Sequence, residues 1–347
     1  MANVDEHAWM NMPLGQQMQA SNMFTRSDDF QGDAWGPPEL SPTLRAALAV
    51  LPMARLPFGH CFDTEGRLDA FKGSVWRSLF GLSLHQVDAV AYAALMGGED
   101  TLRLWCLQAP DTMDEWLPAG AELQGVLTLL GPAVDHAAAC VQALHDMGRH
   151  GFGRQRLKAS MRLLPDGTSA LRTHLASAPG DRLDSAVTAL DVHGAAQQEL
   201  QAVGHRQLKL EVRFVSPMAL KFDGDLVRAV PSLSMLVQAL ARRLVQVVPQ
   251  RAGGLFQEGE RGAWLDLAAQ CPTVAHHMGG LVTSRWSSSQ RRAMPLEGVM
   301  GTAVYGGPAH CLAPLLTLAQ WLQLGKKTTF GQGVVRLRLT PDGFDAG

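Results

Sequence analysis

The sequence predicts an α+β fold in which two halves of the chain repeat the same order of elements. Hydrophobic residues make up 46% of the 347 residues, which is enough to build two cores of common domain size. Charged residues make up only 18%, too few for a largely disordered chain. Apolar runs with strand and helix periodicity also follow one another twice in a similar order.

The first half, residues 51–190, is predicted to form one domain after an N-terminal arm. The arm, residues 1–50, contains Gly36-Pro37-Pro38 and is expected to be extended or loosely ordered. Helices are expected from Ser74, as an N-cap, and over 134–147, where Gly148 would end the helix. The order β-α-β-β-α-β that results is that of a ferredoxin-like domain. Its strands are expected over 56–62, 101–107, 123–130 and 156–164, the last closed by a turn at Pro165-Asp166-Gly167.

The second half, residues 206–347, repeats this order after a connecting region at 165–205. An amphipathic helix is expected over 232–248, opened by Ser232. The two halves share no residue repeat, so the duplication rests on element order alone. We therefore predict two tandem ferredoxin-like (RRM-like, βαββαβ) domains. The other expected elements are a strand over 208–215, a hairpin over 274–305, a helix over 313–324 and a strand over 334–339.

The charge of the chain argues against a bulk basic nucleic-acid binder. The formal net charge is −2 and the sequence pI is about 6.6, whereas such proteins are usually far more basic. Any polyanion must therefore be bound by local patches. The charge is unevenly spread, because the arm is acidic while residues 149–158 hold cations and no acid. Those cations are Arg149, Arg154, Arg156 and Lys158.

The five cysteines favour a reducing compartment. They are odd in number, far apart and form no Cys-x-x-Cys pair, which favours thiols in the cytoplasm over a disulfide framework or a zinc site. Neither a secretion signal nor an apolar run long enough to span a membrane is expected. Adjacent residues on a strand point to opposite faces, so His276 and His277, with His310 elsewhere, predict no metal site. No cofactor is expected.

The most informative motif is the terminal glycine-rich loop, Gly325–Gly333, which joins a helix to a strand. It places Lys326 and Lys327 between Gly325 and the pair Gly331 and Gly333. One interpretation is a helix C-cap and a tight turn with two solvated lysines. The other is a backbone cradle for phosphates, because N–H and ammonium groups attract a polyanion. A nucleotide-triphosphate loop and a dinucleotide fold are disfavoured, since both need a strand followed by a helix.

Two further segments mix cations with residue types that bind RNA. The first glycine-rich loop, Gly148–Lys158, also joins a helix to a strand and offers Arg154, Arg156 and Lys158 to phosphate. The polar centre of the predicted hairpin offers hydroxyls, an amide, an indole and guanidinium groups, a combination that suits RNA. The plain alternatives are a solubilising loop and a polar hairpin tip. The hairpin candidates are Arg285, Trp286, Ser287, Gln290, Arg291 and Arg292.

The helix and glycine-rich loop at the C-terminus resemble those of the CRISPR repeat-processing endoribonucleases, the RAMP-superfamily nucleases that cut precursor CRISPR RNA. The resemblance runs from about residue 51 to 339 and is compatible with a divergent class 1 variant such as type IV. The acidic arm is unmatched, and the first half lacks the Cys-containing segment of many members. Weaker similarities lie in Phe71-Lys72-Gly73-Ser74-Val75-Trp76-Arg77-Ser78-Leu79 (first helix), Gly151-Phe152-Gly153-Arg154 (first-domain loop), Leu240-Ala241-Arg242-Arg243-Leu244 (second-domain helix) and Arg285-Trp286-Ser287 with Gln290 (hairpin).

The resemblance implies two domains side by side and metal-independent cleavage, in which a ribose 2′-hydroxyl attacks the adjacent phosphate. This reaction needs a base near the hydroxyl and cations near the developing charge. Family members fill these roles variously, so candidates are ranked by position. His85, near the end of the first helix, and His60, at the end of the first strand, are candidate bases, with a surface or core role as the plain alternative. Arg77 and Lys72 could steady the phosphate, while Arg242 and Arg243 join the RNA-binding candidates.

We therefore expect a metal-independent endoribonuclease that binds the CRISPR repeat stem-loop and cuts at its base. It is expected to stay on its product with other subunits of a class 1 effector complex. A non-catalytic RAMP-type subunit that only holds guide RNA is the first alternative. A metabolic α/β enzyme with a phosphate-binding loop is the second, favoured by the neutral pI and disfavoured by the arginine-rich loops.

Overall fold

The computed structural model describes residues 36–97, 103–164, 186–203, 208–248, 254–287 and 292–341. For residues 283–287 and 292–294 it describes the backbone only. The predictions that lie outside the described residues concern 1–35 of the arm, the turn at Pro165-Asp166-Gly167, and Gln290 and Arg291 of the hairpin.

The first half of the chain forms an antiparallel sheet with helices against one face. Its elements are α1 (Pro42–Ala49), β1 (Pro52–Phe62), β2 (Gly66–Arg67), α2 (Gly73–Val87), α3 (Ala89–Met96), β3 (Trp105–Gln108), β4 (Trp116–Leu117), β5 (Glu122–Leu130), a 3₁₀ helix (Gly131–His136), α4 (Ala137–His150) and β6 (Ala159–Leu163). The sheet order is β3-β5-β1-β6, and a short strand β7 (Val187–Thr188) also pairs with β1. The first and third strands of the unit therefore lie at the centre, as in a ferredoxin-like domain.

The second half repeats this arrangement. Its elements are α5 (Ala189–Val203), β8 (Leu208–Met218), β9 (Lys221–Phe222), β10 (Asp225–Leu226), α6 (Leu233–Val247), α7 (Glu260–Ala269), β11 (Thr273–Ser287), β12 (Arg292–Tyr305), a 3₁₀ helix (Gly307–Leu312), α8 (Ala313–Thr317), α9 (Ala319–Leu322), a 3₁₀ turn (Thr328–Phe330) and β13 (Val335–Pro341). The sheet order β11-β12-β8-β13 is equivalent to that of the first half. The predicted fold class, two tandem ferredoxin-like units, is confirmed.

Local sequence explains why these elements form and which face each one buries. Ser232 caps α6, because its hydroxyl accepts a hydrogen bond from the backbone N–H of Met235 at 3.3 Å. Leu236, Leu240 and Leu244 recur at helical spacing and are buried in the second core. In the first core, alternate residues of β1 face α2 and α4. These inward residues are Ala54, Leu56, Phe58 and Phe62.

Two helices lie where the sequence predicts irregular chain. Helix α1 occupies the end of the predicted arm, and α5 occupies the end of the predicted connecting region. Both contribute to the second core, α1 through Leu44 and Leu48 and α5 through Ala189. The core that they join is built largely from the second half, far away in sequence, so the local pattern is weak. The domain boundaries 51–190 and 206–347 stay predictions.

Two predicted helix boundaries are wrong. Helix α2 begins at Gly73 after Lys72, and the N-cap position provides no side-chain hydrogen bond, so Ser74 is not the cap. Helix α4 continues past Gly148 to His150 and ends at Gly151, whose φ of 84° suits glycine. Gly148 has another role, because an added Cβ there would lie 1.8 Å from the carbonyl oxygen of Ala159.

Side chains of two arginines and one cysteine join the two halves to each other. The Arg55 guanidinium lies 4.0 Å from the ring centroid of Trp321, and it donates to the carbonyl oxygen of Gln320. The Cys106 thiol donates to the Trp321 carbonyl oxygen at 3.2 Å. Arg336 of β13 donates to the Gln108 side chain at 2.6 Å. These contacts place helix α9 and strand β13 against the first sheet.

All five cysteines are free thiols, and Cys61 alone among them is partly exposed. Among the described helices, none has the length and apolarity needed to cross a membrane.

Candidate nucleic-acid interface

Five backbone N–H groups of the terminal glycine-rich loop donate within the protein. The N–H of Lys326 donates to Ala219, that of Gln332 to Lys327, and that of Gly333 to Pro217. The N–H groups of Phe330 and Gly331 close the 3₁₀ turn on Lys327 and Thr328 respectively. These N–H groups are already paired, which favours the tight turn over the phosphate cradle at these positions.

The glycines of this loop are needed for close packing. Gly325, Gly331 and Gly333 have φ values between 80° and 84°, which residues with a side chain rarely adopt. An added Cβ at Gly333 would lie 1.8 Å from the carbonyl oxygen of Leu324. One at Gly331 would lie 3.0 Å from the Cβ of Ala109, which belongs to the first half. Gly331 and Gly333 are buried, so the motif that suggested a phosphate site is largely a packing motif.

The two lysines of the loop have different environments. Lys326 is exposed at the surface. Lys327 is partly buried and donates through Nζ to the carbonyl oxygen of Pro295 on β12 at 2.6 Å. Gln332, which is fully buried, extends its amide toward the carbonyl oxygen of Glu297 at 3.4 Å. The loop is thus fastened to β12 just beyond the part of that strand that pairs with β8, and Lys326 is its accessible cation.

The first glycine-rich loop presents cations at a tip held by buried apolar anchors. After Gly151, Phe152 and Leu157 form an isolated antiparallel bridge, and both side chains are buried in the first core. Arg154 and Arg156 lie between them and are exposed, as is Lys158, which donates to the Arg149 carbonyl oxygen. This exposed basic tip agrees with the prediction of RNA-binding cations, whose role stays a prediction.

Both glycine-rich loops contact the first turns of α2. Phe152 of the first loop packs on Trp76, with ring centroids 4.6 Å apart. Phe330 of the terminal loop lies against Gly73, where an added Cβ would be 1.8 Å from the Phe330 carbonyl oxygen. The fold therefore brings two loops that are far apart in sequence to the same end of one helix.

Two of the four predicted catalytic residues are buried. His60 is fully buried among aromatic rings, and its Nε2 hydrogen-bonds the carbonyl oxygen of Leu144 at 3.0 Å. Burial lowers the pKa of His60 to about 4. Lys72 is also fully buried, where Nζ donates to backbone carbonyl oxygens, and desolvation lowers its pKa. Neither side chain reaches the surface in this structure, which argues against a catalytic role for either. The Lys72 acceptors are Asp69, Ala70, Thr112 and Asp114, at 2.8 to 3.4 Å.

The other two predicted catalytic residues lie along α2 with access to solvent. His85 is exposed and stacks on Tyr92 of α3, with ring centroids 4.7 Å apart. Arg77 is partly buried, and its guanidinium lies 4.3 Å from the centroid of the Phe330 ring. With a rise of about 1.5 Å per residue, His85 and Arg77 are about 12 Å apart along the helix axis. The structure therefore does not cluster the predicted catalytic set.

The paired arginines of α6 have opposite environments. Arg243 is buried and donates to the carbonyl oxygens of Leu322 and Arg103, each at 3.0 Å. Burial also lowers its pKa. The Arg243 guanidinium bridges the two halves, which argues against the RNA contact expected for it. Arg242 is exposed and donates to the Lys221 carbonyl oxygen at 3.3 Å.

Arg242 belongs to a second basic surface. The backbone of Ala219–Lys221 accepts hydrogen bonds from the Arg242 side chain and from the Lys326 N–H. Lys221, Arg242 and Lys326 are therefore neighbours, and all are exposed. Asp223 and Asp225 lie on the adjoining β9–β10 hairpin, so this patch is less basic than its lysine and arginine content suggests.

The predicted hairpin is confirmed as the β11–β12 pair. Its pairing extends to Ser287 and Arg292, whereas β8 pairs with β12 only over Val299–Tyr305. The segment that carries Arg285, Trp286 and Ser287 therefore extends past the sheet as a two-stranded ribbon. The backbone of Arg292 is described, and Gln290 and Arg291 lie outside the described residues.

Sequence analysis missed an arginine row on the open face of the second sheet. Arg213 of β8 pairs directly with Arg336 of β13, and Glu211 pairs with Arg338. Like charges directly opposite on a sheet repel each other. Arg336 turns to Gln108 of the first half, and burial lowers its pKa. Charged residues alternate with apolar ones over Lys209–Arg213 and over 336–338. This period of two could have predicted a charged face on the second sheet.

Comparison with known proteins gives a family match for part of the second half. Residues 212–335 match the family model described as CRISPR-associated endoribonuclease Cas6. Among curated proteins, none matches the chain.

Three solved structures share the fold at low sequence identity. A Cas6 product complex is 17% identical, with a TM-score of 0.52 over 82% of this chain and 99% of that chain. Thermus thermophilus Cas6 is 13% identical, with a TM-score of 0.51 and the same coverages. A partial Cas6–RT–Cas1–Cas2 complex is 13% identical, with a TM-score of 0.52 over 86% of this chain and 48% of that chain. The family match over residues 212–335 confirms the resemblance seen in the sequence, and the solved structures show the shared fold.

Proposed function

We propose that the protein is an endoribonuclease that binds the repeat stem-loop of precursor CRISPR RNA and cleaves it. The observation that carries the proposal is the match of residues 212–335 to the Cas6 endoribonuclease family. The exposed cations of the two glycine-rich loops support it, because both loops reach the start of α2. Because the formal net charge of the whole chain is −2, electrostatic attraction for RNA must come from such local basic patches.

The proposed RNA contacts are of two kinds. The tip of the first glycine-rich loop and the patch around Lys326 would bind phosphates, since guanidinium and ammonium groups pair with them. The ribbon at the end of the β11–β12 hairpin would contribute hydrogen bonds and the Trp286 indole for stacking. The proposed phosphate-binding residues are Arg154, Arg156, Lys158, Arg242 and Lys326. The proposed ribbon residues are Arg285, Trp286, Ser287, Gln290, Arg291 and Arg292.

The proposed reaction is an in-line transesterification without a metal ion. A base takes the proton of the ribose 2′-hydroxyl, and the 2′-oxygen forms a bond to the adjacent phosphorus. The bond from phosphorus to the 5′-oxygen breaks, and the departing oxygen takes up a proton. The products are a 2′,3′-cyclic phosphate and a 5′-hydroxyl, so no water or cofactor enters the balance.

His85 is the proposed base and Arg77 the proposed phosphate-binding cation. His85 is exposed, and its type suits proton transfer near neutral pH. Arg77 carries a permanent charge suited to a phosphate whose charge grows during attack. The two residues lie on one helix about 12 Å apart along its axis. The proposal therefore places the scissile phosphate alongside α2, between them.

The protein is proposed to act in the cytoplasm and to stay bound to its product RNA with other subunits of a class 1 effector complex. Five free thiols suit a reducing compartment. The likeness to the partial Cas6–RT–Cas1–Cas2 complex supports the idea that this fold works within larger assemblies.

Incubation with cognate repeat RNA in EDTA tests the proposal. We expect a single cut at the base of the stem-loop and a cyclic phosphate on the upstream product, resolved on a denaturing gel. His85→Ala is expected to lower the cleavage rate by about 10²–10⁴-fold with binding retained, the range for loss of a general base. RNA that is neither bound in a filter assay nor cut would overturn the proposal.

A non-catalytic subunit that only holds guide RNA is the second candidate. The burial of His60 and Lys72 favours it, because it removes two of the four candidate catalytic groups. Tight binding of repeat RNA without cleavage, unchanged by His85→Ala, would select this candidate. The metabolic alternative is weakened, since five N–H groups of its expected phosphate-binding loop are paired within the protein.

A further inference from the structure

The terminal glycine-rich loop contacts one face of α2 at two points. The carbonyl oxygen of Phe330 occupies the space beside Gly73, and the Phe330 ring lies beneath the Arg77 guanidinium at 4.3 Å from its centroid. Gly73 and Arg77 are four residues apart, so they lie on the same helix face. Phe330 therefore touches both the backbone of α2 and the side chain of a residue proposed to bind the scissile phosphate.

The ring of Phe330 is held by a loop that has little freedom to move. Thr328 and Thr329 are buried, and the 3₁₀ turn is closed on each side by left-handed residues, Lys327 with φ 60° and Gly331 with φ 84°. Lys327 is further bound to Pro295 through its ammonium group. The loop thus presents the ring at a fixed place against α2.

The Arg77 side chain needs such support to be precise. A free arginine side chain has many rotamers, and fixing it costs conformational entropy. A guanidinium within about 6 Å of a ring centroid is attracted by the ring quadrupole. An arginine stacked in this way before RNA arrives is pre-organised, and pre-organised charges stabilise a transition state best.

We propose that Phe330 is a positioning residue that holds Arg77 for phosphate stabilisation, an inference that rests on the proposed function. Phe330 does not touch the RNA in this scheme and acts only through Arg77. The same loop carries Lys326, the exposed cation proposed to bind the stem. One loop would then serve both RNA binding and the geometry of the cut, through different residues.

A matched pair of substitutions tests the proposal. Phe330→Leu removes the ring but keeps an apolar side chain, whereas Phe330→Tyr keeps the ring. We expect Phe330→Leu to lower the single-turnover cleavage rate by about 10–100-fold, as misplaced catalytic groups do, with Kd for repeat RNA within about twofold. Phe330→Tyr should cleave like the wild type. Lys326→Ala provides the contrast, because loss of a phosphate contact weakens binding.

A double-variant cycle separates positioning from a general structural role. If Phe330 acts through Arg77, then adding Phe330→Leu to the Arg77→Ala variant should lower its cleavage rate little further. Independent, multiplying rate losses would overturn the proposal. So would a Phe330→Leu variant that cleaves at the wild-type rate, or one that loses binding and cleavage equally.

A readout that does not depend on activity keeps this inference distinct from the proposed function. In ¹⁵N NMR spectra, the Arg77 Nε–H signal should be shifted upfield by the ring in the wild type and in Phe330→Tyr, and should lose that shift in Phe330→Leu. If the wild type fails to cut RNA, the proposed function fails. In that case the NMR spectra decide separately whether Phe330 positions Arg77. An Arg77 Nε–H signal at the same position in the wild type, Phe330→Tyr and Phe330→Leu would overturn that inference.

Discussion

Substitution of Gly73 by alanine tests how tightly the two halves are joined. The added Cβ would lie 1.8 Å from the carbonyl oxygen of Phe330 and 2.8 Å from its carbonyl carbon. A normal carbon–oxygen contact is about 3.3 Å or more, so α2 and the terminal glycine-rich loop must separate by about 1.5 Å. Both partners are backbone, so no side chain can yield. Overpacking of this kind costs about 1–3 kcal/mol.

Alanine also favours the helix, which offsets part of this cost by at most about 1 kcal/mol. An overlap this large belongs at the upper end of the overpacking range, so we expect Gly73→Ala to lower the free energy of unfolding by about 2 kcal/mol, measured by urea titration followed by circular dichroism and tryptophan fluorescence.

Gly81, on the same helix, provides the matched control. The nearest atom to a Cβ added at Gly81 is the Met96 Cε at 3.4 Å, an ordinary contact with a flexible side chain. Gly81→Ala should therefore stabilise the protein by about 0.5–1 kcal/mol through helix propensity alone. The reasoning is refuted if Gly73→Ala is as stable as the wild type, or if both substitutions shift stability in the same direction.

Two further predictions concern buried polar residues. Burial lowers the pKa of His60 from 6.5 to about 4. The neutral form of His60 therefore contributes fully to stability above pH 6.5. This contribution, up to about 3 kcal/mol of the free energy of unfolding, is lost as the pH falls to about 4. His60→Gln keeps an N–H donor without titrating, so urea titrations across this range should show a shallower pH dependence, and an unchanged slope would contradict the assignment. Arg243→Met should lower the free energy of unfolding by about 1–3 kcal/mol, because the Leu322 and Arg103 carbonyl oxygens lose their donor. Arg242→Met, its exposed neighbour, should stay within about 0.5 kcal/mol, and equal effects of the two would show that Arg243 is not the bridge.

Much of the fold could be predicted because its elements carry their own local signals. Helix α6 has a serine cap and leucines at helical spacing, and the β11–β12 hairpin has a polar centre between two apolar runs. Helices α1 and α5 were missed, since their apolar residues meet partners that lie far away in sequence. Leu44 in α1, for example, is buried in the core of the second half.

The candidate site was less predictable than the fold. Sequence analysis identified the basic loops, and Arg154, Arg156, Lys158, Arg242 and Lys326 are exposed as expected. It could not tell these cations from Lys72 and Arg243, which have the same chemistry but are buried against carbonyl oxygens. Exposure depends on how elements pack, and no motif of a few residues records it.

The sequence by itself determined the α+β class, the duplicated strand and helix order, and the two glycine-rich loops, because periodicity, glycines and charges are local properties. Only the tertiary structure decided what the terminal glycine-rich loop does. Five of its N–H groups donate within the protein, its glycines allow close packing, and Phe330 reaches across to Arg77. The physical reason is that a polar group is available to RNA only if the fold has not already paired it, and that depends on residues such as Ala219 and Pro217, more than a hundred positions away.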